Sequence, residues 1–185
     1  YGYDDYKIKK RLTTSSSFQL ASVSKMFTAM AIMILKEEGQ LDYDDSVRQY
    51  IPELPYTGIT IRHLLNHRSG LPDYMHFSDN LWDQEKPLTN NDMIRIMAEN
   101  KPPRYFSAGN GFDYCNSNYA LLASIVERIT NKPFDQFISE YIFDPLSMDD
   151  SFIYQLEDGQ EIPQYVPAGV AGHRPGRSLP RVEQN

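Results

Sequence analysis

The sequence holds one cysteine, Cys115, which excludes a disulfide within the chain and leaves its redox compartment open. Positive charge is in deficit: 18 lysines and arginines stand against 25 aspartates and glutamates, a net charge of −7. Nucleic acid and anionic membrane surfaces need a basic footprint, and only His173-Arg174-Pro175-Gly176-Arg177 is locally basic, so neither is expected as a partner. No apolar run reaches the roughly 20 residues that a membrane-crossing helix needs, so no transmembrane segment is expected. Runs alternating apolar and polar residues are scarce, and the chain reads as the helical part of a larger α+β domain. No leader peptide, repeat or low-complexity tract stands out. Tyr1-Gly2-Tyr3 has no lead-in and Leu179 to Asn185 no closing element, so residues 1–185 read as one partial domain truncated at both ends.

What is present is organised around Ala21-Ser22-Val23-Ser24-Lys25-Met26-Phe27-Thr28. The apolar run continues to Leu35 and is closed by Lys36-Glu37-Glu38 and Gly39. In a helix such a run is apolar all the way round. The expectation is a central helix of about four turns, buried on every side, starting near Ser22 and stopped by Gly39. Ser22 and Lys25 then lie on one face, a turn apart. Unpaired backbone N–H groups at that helix start can meet developing negative charge. A capping serine and a solvated lysine would leave the same trace.

A second informative stretch runs from Phe106 to Tyr119. Its density of glycine and asparagine specifies a tight loop, leading into an amphipathic helix from Tyr119 to Ile129 that Asn131 and Pro133 end. Tyr114 and Asn116, two apart in an extended segment, point the same way; Cys115 points oppositely, as a small buried hydrophobe. Turn chemistry with an aromatic anchor and a functional pair are both compatible with that pattern.

Elsewhere, Thr60 and Thr89 read as N-caps, the latter with Asp92 in a capping box. A short helix ends before Pro52, and another spans Pro133 to Ile142 with Phe134, Phe137, Ile138 and Tyr141 inward. Pro72 to Pro87 reads as a long loop holding His76 and Trp82, a cleft wall or a cover. Ser151 to Tyr154 reads as a short strand. Asp42, Asp44 and Asp45 lack the glycine and closing glutamate of a calcium loop. His63 and His67, four apart, lack the glutamate of a zinc-protease helix, so packed histidines and no metal are expected.

Four segments, in order, resemble the serine β-lactamase and penicillin-binding protein superfamily, in its class C β-lactamase, D-alanyl-D-alanine carboxypeptidase and esterase branch. They are Ser22-Val23-Ser24-Lys25 after Phe18-Gln19-Leu20-Ala21; Ile59 through Pro72; Tyr114-Cys115-Asn116 before Asn118-Tyr119-Ala120; and Pro145-Leu146-Ser147-Met148, with Ser147 where glycine is usual. The resemblance implies an α+β, β-lactamase/transpeptidase-like fold, with this chain covering mainly the helical part and most of the antiparallel sheet missing. It implies a serine hydrolase acting through an acyl-enzyme on D-alanyl peptides, β-lactams or small esters. Ser22 would be the nucleophile, Lys25 or Tyr114 the general base, and Asn116 a substrate-binding residue that also holds Lys25. No cofactor or metal is implied, and the partner would be a small-molecule or peptidoglycan-peptide substrate. The family's third motif, Lys-Thr-Gly or His-x-Gly on a strand that supplies an oxyanion donor, is absent from this sequence. The polypeptide as given is therefore expected to be inactive or nearly so. A periplasmic, extracellular or cell-envelope location in a bacterium is also implied. The alternative is a non-catalytic member used for binding or assembly, against which the intact Ser22, Lys25, Tyr114 and Asn116 speak.

Overall fold

A computed structural model describes residues 2–5, 9–83, 87–154 and 165–166. The basic stretch at 173–177 and the chain's last residues lie outside the described ones. Two compact units are present, Tyr1–Ala21 with Gly159–Asn185, and Ser22–Asp158.

In the first unit, β1 (Tyr3–Asp5) pairs antiparallel with β2 (Lys10–Arg11), Tyr3 opposite Arg11 and Asp5 opposite Lys10, with a slip in register between them. β3 (Ser17–Phe18) pairs in parallel with β4 (Tyr165–Val166). The extended approach expected before Ser22 is thus in part a strand. Both sheets are two-stranded, so the described chain is mainly helical, as expected.

The second unit is a helical assembly. A 3₁₀ turn (Ala21–Ser24) leads into α1 (Lys25–Glu37), followed by α2 (Val47–Tyr50), α3 (Ile61–Leu65), α4 (Tyr74–Leu81), α5 (Asn90–Asn100), α6 (Asn116–Thr130) and α7 (Phe134–Ile138). A π-helical turn, Ser139–Phe143, extends α7. The caps form where the sequence places them: Thr60 accepts from His63 N–H and Thr89 from Asp92 N–H. Gly39 follows α1 at φ 70°, a left-handed conformation that glycine adopts without cost. Ser147 holds a similar φ of 53° in the turn after the π-helical segment.

The hub is α6, which packs against each of α1, α2, α3, α4, α5 and α7. Its residues Leu121, Leu122, Ile125 and Val126 are fully buried, and each such side chain contributes about 1.5–3 kcal/mol of burial. The helix starts at Asn116, earlier than the expected Tyr119.

Four expectations need correcting. Tyr141, expected inward, is 37% exposed on the π-helical turn. α1 is not buried on every side: Thr28, Ala31, Ile32 and Leu35 form its inner stripe, while Met26, Met30 and Met33 are 63%, 47% and 48% exposed. Apolarity all round states what a helix can bury; among the described residues its neighbours cover one face only. The segment after Pro72 is not a loop throughout, because Asp73 caps α4. Ser151 to Tyr154 is irregular, since an extended segment becomes a strand only with a ladder partner, and it has none among the described residues.

Candidate active site

The expected site residues sit at the starts of two packed helices. Ser22 lies in the 3₁₀ turn and Lys25 is the first residue of α1; Asn116 is the first residue of α6, with Tyr114 just before it. The tight turn brings serine and lysine to one side, and Lys25 Nζ donates to Ser22 Oγ at 3.1 Å. The same ammonium donates to Asn116 Oδ1 at 2.9 Å, across a sequence separation of 91. It also lies 5.0 Å from the centroid of the Tyr114 ring. All four expected residues therefore meet around one nitrogen.

The alternation expected at 114–116 is present. Tyr114 is 47% exposed and faces Lys25, while Cys115 is buried, its thiol pushed up to about 11 by desolvation. A buried, protonated thiol is a packing group and not a nucleophile. Tyr114 differs: hydrogen bonding with Lys25, and next with Ser22, holds its phenol below the usual tyrosine range against an opposing desolvation effect.

Beneath this surface lies a layer of polar groups that the motifs alone do not announce. The His67 ring packs between Tyr114 and Tyr119, with centroids 4.5 and 5.1 Å away. Its Nδ1 accepts from Cys115 N–H at 3.2 Å and lies 3.2 Å from Asn118 Nδ2. Asn118 Oδ1 in turn accepts from Ser69 Oγ at 2.6 Å, which leaves Nδ2 as the donor to the imidazole. Nδ1 is thus an acceptor and the ring is the neutral Nε2–H form. Desolvation, and after it the Lys25 charge, holds the His67 pKa below the ordinary imidazole value.

His67 itself takes a left-handed φ of 55°, the kind of strained backbone that surrounding structure must hold in place. Its carbonyl accepts from Asp113 N–H at 3.0 Å. Gly70 completes the turn at φ 69°; a Cβ there would lie 2.0 Å from the Phe106 carbonyl oxygen, so only glycine fits.

Asp73 was not legible as a site residue. It is 6% exposed, and its Oδ2 accepts from Asn116 N–H at 2.7 Å and Asn116 Nδ2 at 3.0 Å. Its Oδ1 caps α4 by accepting from Met75 N–H at 3.0 Å. The signal available was an aspartate between a proline and a helix-capable run, an N-cap pattern hidden when Pro72 to Pro87 is read as loop.

The two histidines four apart do not form a pair. His63 Nδ1 bonds to Thr60, whereas His67 turns beneath Tyr114. Asp44 binds Arg62, Asp42 binds Lys36, and Asp45 accepts from Tyr50 Oη at 2.7 Å. No group of histidine, cysteine or carboxylates with metal-binding geometry is present among the described residues, and no helix there is long and apolar enough to cross a membrane.

Solved structures give the class of fold. A penicillin binding protein from Bacillus halodurans superposes with a TM-score of 0.74 at 27% identity, covering 89% of this chain and 50% of that one. The D-amino acid amidase of Ochrobactrum anthropi SV3 superposes with a TM-score of 0.71 at 30% identity, covering 82% and 43%. The fold is β-lactamase/transpeptidase-like, and this chain is a part of it. The sequence profile described as Beta-lactamase matches residues 1–183, and the chain belongs to that family. Among curated proteins it is 42% identical over 154 residues to Penicillin-binding protein 4* of Bacillus subtilis (strain 168), covering 83% of this chain. The chain spans 34% of that relative's length.

Proposed function

We propose that this chain carries the nucleophile side of a serine hydrolase that acts through an acyl-enzyme on D-alanyl peptides, β-lactams or small esters. The likeness to a D-amino acid amidase supports adding small amides. The observation that carries the reading is the Lys25 ammonium, 3.1 Å from Ser22 Oγ and 2.9 Å from Asn116 Oδ1, with the Tyr114 ring beside it.

The proposed steps follow from those contacts. Ser22 Oγ attacks the substrate carbonyl as its proton passes to a base. We take Lys25 as an ammonium, which has no lone pair to offer, so the base in this reading is the phenolate of Tyr114, which hydrogen bonding with Lys25 and Ser22 favours. The phenol returns the proton to the leaving group; water then attacks the acyl-enzyme as Tyr114 accepts its proton, the acyl–Oγ bond breaks to release the acid, and Tyr114 gives the proton back to Ser22 Oγ. Asn116 holds Lys25 in place and borders the substrate. The bacterial penicillin-binding relatives support a cell-envelope location.

The test is acylation of the full-length protein by a fluorescent penicillin and by a p-nitrophenyl ester. Stoichiometric label on the peptide bearing Ser22 is expected, and Ser22→Ala should abolish it with Tm unchanged. Label on another residue, or turnover by Ser22→Ala, overturns the proposal.

A further inference from the structure

We infer that Asp73 is a positioning residue for this site: it sets the orientation of the Asn116 carboxamide and, through it, the place of Lys25. The inference rests on the acyl-enzyme reading of Ser22. A carboxamide is nearly symmetric in shape but not in chemistry, one end accepting and the other donating. Turned by half a revolution, Asn116 would present Nδ2 to the Lys25 ammonium, donor against cation. What selects the productive orientation is the partner at the far end.

That partner is a buried carboxylate. Asp73 Oδ2 receives Nδ2 at 3.0 Å and also the Asn116 backbone N–H at 2.7 Å, fixing both the side chain and the first residue of α6. The other contact of Nδ2, Met75 Sδ at 3.3 Å, is a weak acceptor and cannot make that choice. Hydrogen bonds then run in series from Asp73 through Asn116 and Lys25 to Ser22 Oγ. Negative charge at one end of such a series strengthens the acceptor at the next, so Oδ1 holds the ammonium more firmly.

Capping α4 does not account for this arrangement. The cap uses Oδ1 alone, while Oδ2 reaches a helix start 43 residues away in sequence. The two oxygens have separate tasks, and a substitution can divide them.

Asp73→Asn in the full-length protein makes that division. Its Oδ1 keeps the α4 cap, and its Nδ2 faces the two Asn116 donors, donor against donor. Acylation by the fluorescent penicillin should slow about ten- to hundredfold, the range for a hydrogen bond to a charged group, with KM moved less than about threefold. In an Asn116→Ala background the same substitution should cost under about threefold, because the series is already cut. Equal penalties in the two backgrounds, or an unchanged rate in the single variant, overturn the inference.

A second readout needs no turnover. The Asn116 side-chain NH2 protons, followed by NMR, should exchange slowly in the wild type and approach free-amide exchange in Asp73→Asn. Unchanged exchange overturns the inference. A wild-type protein that fails to acylate would sink the hydrolase reading and leave Asp73 to be judged on this exchange.

Discussion

α6 begins with polar side chains locked beneath the surface, whereas α1 begins with none. At the start of α6, Asn116 is bound to Asp73, and Ser117 Oγ donates to the Pro72 carbonyl and accepts from Tyr74 N–H, each at 2.8 Å. Asn118 links Ser69 to His67, and both Ser117 and Asn118 are fully buried. The 3₁₀ turn before α1 has no buried residue, and Ser24 makes no side-chain capping bond. Tyr114 and Asn116 are therefore held by the interior, while Ser22 is held toward them through Lys25. Preorganisation of this kind places the cost of ordering a site in folding and not in the reaction.

The sharpest way to break this comparison is to remove the link between the two starts. Lys25→Met should lower acylation about a hundredfold or more, since it takes away the cation that poises Tyr114 and orients Ser22. Stopped-flow labelling with the fluorescent penicillin reads the change.

Stability should show the same asymmetry. Asn118→Ala leaves His67 Nδ1 and Ser69 Oγ short of a buried partner and should cost about 2–3 kcal/mol in urea denaturation. Ser24→Ala, at the start of α1, should stay within about 0.5 kcal/mol. Similar costs at the two positions would erase the contrast.

The mildest test is pH. Burial, then the Lys25 charge, depresses the pKa of His67, so the native state binds this proton less readily than the unfolded chain. Stability contributed by the neutral ring is complete above the unfolded value of about 6.5 and is lost as pH falls through the lower folded value. His63, also depressed and mainly by desolvation, acts in the same sense. Tm measured from pH 8 to pH 5 should fall, and His67→Gln should flatten the fall while leaving the part owed to His63.

Much of the site was legible because it depends on short-range geometry. A serine and a lysine three apart share a face in any tight helical turn, and Tyr114 and Asn116 share one across an extended Cys115. The caps at Thr60 and Thr89 are local for the same reason. Asp73 was not legible, because its role lies in a contact 43 residues away. Which face of α1 the described residues cover was not legible either, because a run of apolar residues carries no record of where its neighbours lie.

Residue identity and spacing by themselves determined the local chemistry: which helix starts carry a hydroxyl, an amine, a phenol and a carboxamide, and that each pair points one way. Tertiary structure alone decided that the two pairs converge on Lys25, that a buried carboxylate and a neutral imidazole stand behind them, and that α6 is the hub. Spacing along a chain sets direction within about one turn, whereas distance across a fold follows from how the helices pack.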